Sequence, residues 1–282
     1  YTLSLHDALP IFDYLMDAIQ DYIAPLKGEP NWGYTPAYFL SARFNLHRNY
    51  AEHYLKKGDL TIREINHILA RFDDNKKTAF DESYADSLYE NYKNNQIYDS
   101  NSRTTLHHLL SGKNVLLIAP GSSIVTYKEK IDDFVKQENP VIISINFVPE
   151  LYNVDFAFFS NNKRFSNLEN VSCKTIITSN LLSDLADFKI DYNSLSGAFD
   201  QGCNSFIMIL KLLKEMNTKA IFIAGADGYT ESGKNYYKSN IRTYTKHGNK
   251  FNMAVANAVR NLDLEVTFLT PSAYETERNE NR

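Results

Sequence analysis

Only two cysteines, one tryptophan and eleven glycines occur in this 282-residue chain. Cys173 and Cys203 are too few for a disulfide framework or a zinc site, so a reducing cytoplasm is the expected compartment. No apolar run reaches the length that spans a bilayer, and no signal-peptide pattern is visible. The Gly-x-Gly-x-x-Gly fingerprint is missing, which weakens a classical dinucleotide reading. Neither sign of charge dominates: 30 basic against 34 acidic residues give a formal net charge of −4. That balance leaves no electrostatic footprint for nucleic acid. Internal repeats and low-complexity tracts are also absent. What remains is an ordinary globular composition, 43% hydrophobic and 23% charged, rich in Tyr (19) and Phe (17). The length allows one or two domains with proper cores.

The chain has two grammars. Residues 12–95 read as helix after helix. In 13–23, Leu15, Ala18, Ile19, Tyr22 and Ile23 fall on one helical face. Pro25, Gly28 and Pro30 stop that segment. A second helical stretch covers 36–56 and ends at Gly58, a good C-terminal residue. A third opens at Asp59 and carries Ile62, Ile65, Ile68 and Leu69, and a fourth covers 78–92. Residues 96–103, polar and poor in apolar side chains, read as a linker. From 104 to 274 strands and helices alternate. Candidate strands are 115–119, 141–145, 156–159, 175–178, 220–224 and 266–269. Helices are expected at 127–137, 205–216 and 251–262. Residues 275–282 form a polar tail. The fold class is therefore α/β: an all-helical N-terminal region followed by a Rossmann-like, mainly parallel α/β/α domain.

Ligands of open parallel sheets bind beyond the carboxyl ends of the strands. Small or polar residues follow the candidate strands: Pro120–Ser123, Asn146, 160–163, 179–180, 225–229 and 270–272. Pro120, Gly121, Ser122 and Ser123 form a tight turn ahead of a helix-like segment. Backbone N–H groups and hydroxyls there suit a phosphate; a plain strand–helix turn is the alternative. Asn146 and Asn161 can read base or ribose edges, or simply make turns and caps. Asn204 and Ser205 cap a helix or hold a phosphate with the same N–H groups. Asp227, after Gly225, suits a ribose or a divalent cation but defines no metal site alone. Lys163 and Arg164 can meet phosphate charge. His247 is the sole histidine of the α/β half after His107 and His108; it suits a general base near neutrality, or is a solvated loop residue. Tyr229, Tyr236, Tyr237 and Tyr244 lie in a Gly-, Asn- and Lys-rich stretch, 228–250, of a length that suits a lid or a disordered insertion.

Three resemblances follow from these residues. The string ACT CTT TCC CTA CAC GAC GCT CTT CCG ATC encodes residues 2–11 and resembles a short-read sequencing adapter, so 1–11 are set aside from the fold. The natural chain is then expected to extend upstream. The helical half, through Gly33-Tyr-Thr-Pro-Ala-Tyr38, His47-Arg-Asn-Tyr-Ala-Glu52 and Ile62-Arg-Glu-Ile65, resembles the C-terminal communication region of 4-hydroxy-2-oxovalerate aldolases, a pyruvate aldolase family of the HMG-CoA lyase-like type. Tyr34 matches a family tyrosine that faces a catalytic barrel. The family's arginine, base histidine and metal-binding Asp and His-x-His have no counterpart here. A divalent metal is expected only for that barrel, and no cofactor is assigned to this chain.

The α/β half, residues 114–272, resembles bacterial CMP-sialic-acid-dependent sialyltransferases, and more loosely 6-hydroxymethylpterin pyrophosphokinase-like domains. Ala119-Pro-Gly-Ser-Ser-Ile124 matches a Gly-x-Gly-Pro-Ser-Leu turn, with Ala119 and Pro120 departing from it. Asn146, Asn161, Asn204-Ser205 and Gly225-Ala-Asp227 match nucleotide-contacting positions. His247 stands near the family's catalytic histidine. The resemblance implies a nucleotide or CMP-sugar-like ligand and a glycosyltransferase role in surface glycan biosynthesis; a homo-oligomer is left open, and no nucleic-acid partner or membrane span is expected. A noncatalytic nucleotide-binding module attached to an aldolase and a pterin pyrophosphokinase-like transferase are the alternatives.

Overall fold

A computed structural model describes residues 14–27, 35–166, 168, 172–183, 185–196, 204–230, 236–238 and 248–275. The chain divides into two compact units, with the boundary between Asn94 and Asn95.

The first unit is helical. Met16 is buried and joins the core, whereas Leu15, Tyr22 and Ile23 are more than half exposed. The face expected from 13–23 is therefore wrong. The chain passes from an α-helical turn into a π-helix at Ile19–Ile23 and a 3-10 turn at Ala24–Lys27. A change of helical pitch breaks the 3.6-residue phase that the expected stripe relied on. The stretch expected as one helix over 36–56 is two, Pro36–Arg43 and Asn49–Lys57, separated where Asn45 takes a left-handed conformation (φ 54°). Gly58 closes the second of them at φ 73°. The helix Ile62–Leu69 begins with a capping box, in which Thr61 and Glu64 satisfy each other's backbone N–H groups. Its Ile62, Ile65, Ile68 and Leu69 are all buried. Tyr50 and Tyr54 are buried as well, and their hydroxyls donate to the carbonyls of Ala79 (2.7 Å) and Ala85 (3.0 Å). Each ring thus buries its area without leaving a polar atom unpaired.

The second unit begins with the end of the helix Glu82–Asn95 and continues into the helix Ser100–Leu110. The linker expected at 96–103 is thus helical from Ser100 onward. Its exposed face is polar, and only Leu106 and Leu110 are buried, which is why the apolar signal is faint. The sheet holds β1 (Asn114–Ile118), β2 (Val141–Ile145), β3 (Phe156–Phe159), β4 (Lys174–Thr178), β5 (Phe188–Ile190), β6 (Ala220–Ala224) and β7 (Val266–Phe268). The order is β5-β4-β3-β2-β1-β6-β7, and every pairing is parallel. Leu117 pairs in register with Ile143 on one side and Ile223 on the other. These residues face a core completed by the helix Ser205–Glu215, in which Phe206, Ile207, Met208, Ile209, Leu210, Leu212 and Leu213 are buried. Val255 and Val259 of the helix Gly248–Asn261 join it. Leu116, Ile118 and Ile142 face the other way, against Ile124 and Ile131 of the helices Ser123–Thr126 and Lys128–Glu138. The result is an α/β/α sandwich. Burying each large apolar side chain is worth roughly 1.5–3 kcal/mol, against about 0–1 kcal/mol for an exposed ion pair, so these two faces rather than surface charge hold the unit.

Surface charge is expected to set the acid limit of the helical unit. The usual aspartate value is 3.8, and three groups are held below it. Lys57 and then His53 lower Asp86, Lys76 lowers Asp81, and the Tyr89 hydroxyl, followed by Lys93, lowers Asp59. A lowered folded value adds stability above the unfolded value and loses it as pH falls through the folded one. The helical unit is therefore expected to lose stability progressively below about pH 4. Asp86→Asn should flatten the fall of the urea midpoint between pH 5 and 3; an unchanged slope would contradict the assignment.

Candidate functional site

The strand order reverses between β1 and β6. From β1 the chain works outward through β2, β3, β4 and β5, then returns to β6 on the other side. At such a switch point the loops leaving the two central strands diverge and open a crevice at their carboxyl ends. Residues 119–123 follow β1, and residues 225–228 follow β6.

Those two loops are locked together. Gly121 N–H donates to the Gly225 carbonyl at 2.8 Å. A Cβ on Gly121 would overlap the Asp227 carboxyl group and the Gly225 carbonyl. A Cβ on Gly225 would overlap the Ala119 carbonyl and Ile124, and Gly225 stands at φ 76°. Both glycines are required by close backbone approach. Asp227 then fills the space. Its Oδ2 accepts from Ser123 N–H at 2.9 Å and from the Ser122 hydroxyl at 3.2 Å, and its Oδ1 accepts from the Ser123 hydroxyl. The Ser123 and Thr270 hydroxyl oxygens lie 2.9 Å apart, and Gly225 N–H donates to Thr270 at 3.0 Å. Since Ser123 gives its single proton to Asp227, the Thr270 hydroxyl donates to Ser123. A continuous relay runs from Gly225 N–H through Thr270 and Ser123 to the carboxylate.

The helix after the turn is shorter than the sequence suggested. Ser123–Thr126 forms a single turn, Tyr127 interrupts it, and Lys128–Glu138 follows. The Asp227 carboxylate occupies the position at the start of Ser123–Thr126 where the helix dipole favours negative charge.

A second polar group lies at the carboxyl ends of β2 and β3. Asn146 is left-handed (φ 59°), its Oδ1 accepts from Ser160 N–H at 3.1 Å and its Nδ2 donates to the Ser205 hydroxyl at 2.6 Å. Ser160 and Ser205 share a further hydroxyl–hydroxyl bond. Asn204 caps the helix Ser205–Glu215, accepting from Phe206 N–H at 2.9 Å. Asn161 is exposed and caps the short helix Asn162–Phe165 through Arg164 N–H at 3.2 Å. The Tyr274 ring lies 5.6 Å from that of Phe206, the residue after Ser205, and its phenol feels the charge of Asp227.

The described residues singled out after the strands thus fall mainly into two sets. Pro120, Gly121, Ser122, Ser123, Gly225 and Asp227 form the first; Asn146, Asn204 and Ser205 belong to the second, and Asn161 stands apart. His247, Tyr34, Tyr244 and Cys203 lie outside the described residues.

Part of the expected lid is described. Tyr236 bridges Gly121, Tyr237 N–H donates to the Pro120 carbonyl at 3.1 Å, and the Tyr237 ring packs 5.6 Å from Phe147. Lys238 pairs with Glu150. Burial, and then Tyr236, pushes the Tyr229 phenol upward; burial, and then Tyr229, does the same for Tyr274. Both phenols are therefore held in the neutral form. Two contributors escaped the sequence reading. Asn252 is buried inside the last helix and clamps the Tyr229 backbone, accepting from its N–H at 2.8 Å and donating to its carbonyl at 2.9 Å. Its signal was a polar residue amid the apolar face of 251–262. Tyr274 gave no signal beyond its type. A separate cavity of about 400 Å³ opens at the amino edge of the sheet, beside Val141, Asp155, Phe156, Cys173 and Lys174, and includes none of these candidate residues.

Comparison with protein-family models, curated proteins and solved structures finds no match. Among the described residues no three His, Cys, Asp or Glu side chains gather as a metal site, and no helix is long and apolar enough to cross a membrane.

The tightest constraint here is Gly225. Gly225→Ala is expected to destabilise the α/β unit by about 3 kcal/mol or more, the upper end for strained backbone, because the Cβ meets backbone as well as an unfavourable φ. Thermal unfolding of Gly225→Ala checks this; a melting curve like that of the parent chain would contradict it.

Proposed function

We propose that the α/β unit binds a nucleotide or nucleotide sugar across the carboxyl ends of β1, β2, β3 and β6, and that it is a glycosyltransferase of the sialyltransferase-like kind, working in surface glycan biosynthesis. The observation that carries this reading is the switch point between β1 and β6, where open parallel sheets take their ligands. Two polar groups and three tyrosines, Tyr229, Tyr236 and Tyr274, collect at that edge, and amphipathic rings beside hydrogen-bonding groups suit a base or a sugar. In this reading His247 is the general base for the acceptor hydroxyl. The helical unit is a packing module of the aldolase communication type.

One observation favours a noncatalytic nucleotide-binding module instead. Asn146, Asn161, Asn204, Ser123 and Asp227 each already have a side-chain hydrogen bond within the protein. The pyrophosphokinase-like reading differs in requiring ATP with Mg²⁺.

Titration calorimetry of the full chain with CMP, UDP and ATP separates these readings. Saturable binding of CMP is expected, and heat from none of the three would contradict the nucleotide reading. If CMP-sugar hydrolysis is measurable, His247→Ala should reduce it by about 100-fold, the lower range for a general base. Undiminished turnover would remove His247 from the mechanism, and a strict need for ATP and Mg²⁺ would favour pyrophosphoryl transfer.

A further inference from the structure

We infer that Asp227 is the specificity-determining residue of the carboxyl edge: a built-in anion that closes the β1 turn to phosphate and leaves that end to the hydroxyl- or amine-bearing part of a ligand. The second half of this statement rests on the nucleotide reading; the first does not.

A glycine-containing turn after a central strand, with a backbone N–H and two hydroxyls converging, is the donor set that commonly receives a phosphate. Here all three donors, Ser123 N–H and the hydroxyls of Ser122 and Ser123, point at Asp227. The absence of a side chain at Gly121 makes room for the same carboxyl group, which a Cβ there would overlap. The glycine and both serines are thus accounted for without a ligand. A phosphate brought to these donors would have to displace a carboxylate and stay beside it, and like charges at contact distance disfavour that arrangement. Asp227 remains partly exposed, and its four acceptor sites are not all filled by three donors, so a neutral or cationic donor can still approach.

Neutral phenols stand beside the carboxylate: Tyr274 lies near Asp227, and Tyr229 and Tyr236 lie near Tyr274. An anion is therefore disfavoured at the β1 turn, and hydroxyl or amine donors are the groups that Asp227 can take.

The test uses the full chain with inorganic phosphate as the probe. ³¹P line broadening and calorimetry are recorded for the parent and for Asp227→Ser, which frees the three donors, with Asp227→Asn as a neutral variant of nearly the same shape. The parent is expected to show no saturable phosphate binding at millimolar concentration. Asp227→Ser should gain it, at least tenfold tighter, with sulfate competing; Asp227→Asn should gain less. If Asp227→Ser fails to fold, the comparison of Asp227→Asn with the parent decides. Phosphate binding by the parent as tight as by the folded variants overturns the inference, as does the absence of any gain in folded variants. A gain of phosphate binding in a chain that ignores CMP supports the built-in anion while sinking the nucleotide reading.

Discussion

A carboxylate held by three donors joins the two central strands of this sheet. β1 and β6 are parallel neighbours, and backbone bonds from Ala119 N–H to the Ala224 carbonyl and from Gly121 N–H to the Gly225 carbonyl carry their pairing just past the strand ends. Asp227 adds a side-chain link beyond them. Hydrogen bonds to a charged acceptor contribute roughly 1.5–3 kcal/mol each, and here they act with a backbone bond from Gly121 to Gly225. Thr270 carries the same network to the end of β7. Three consecutive strands across the sheet, β1, β6 and β7, thereby have their carboxyl ends fixed by one set of bonds.

That link has a chemical consequence. It makes the β1 turn rigid and fills it with negative charge. The polarity of that turn is then set by the fold: a charged acceptor with a neutral phenol, Tyr274, near it. Tyr236 and Tyr237 rest on the same turn, through Gly121 and the Pro120 carbonyl.

The central strands of the parallel sheet were plain in the sequence because both of their faces are buried, leaving unbroken apolar runs such as Val115 to Ile118. β5 was not, since Phe188–Ile190 is three residues long with a lysine at its centre. The helix Ser100–Leu110 passed for a linker because one narrow stripe of leucine carries its packing. The first segment misled through a change of helical pitch that side-chain periodicity does not encode. At the site, the small and polar residues after the strands were visible, but their partners were not. Ser123 and Asp227 are 104 positions apart, and nothing local distinguishes a serine awaiting a ligand from one already bonded to a distant aspartate. Asn252, clamping the Tyr229 backbone from within a helix, was hidden for the same reason.

The most direct test is a double-mutant cycle between Ser123→Ala and Asp227→Asn, read as urea unfolding free energy. If this pair joins the loops of β1 and β6, the two changes are non-additive, with a coupling of about 1–2 kcal/mol, inside the range for residues of one hydrogen-bond network. Additivity to within about 0.3 kcal/mol, as for independent sites, would contradict the account.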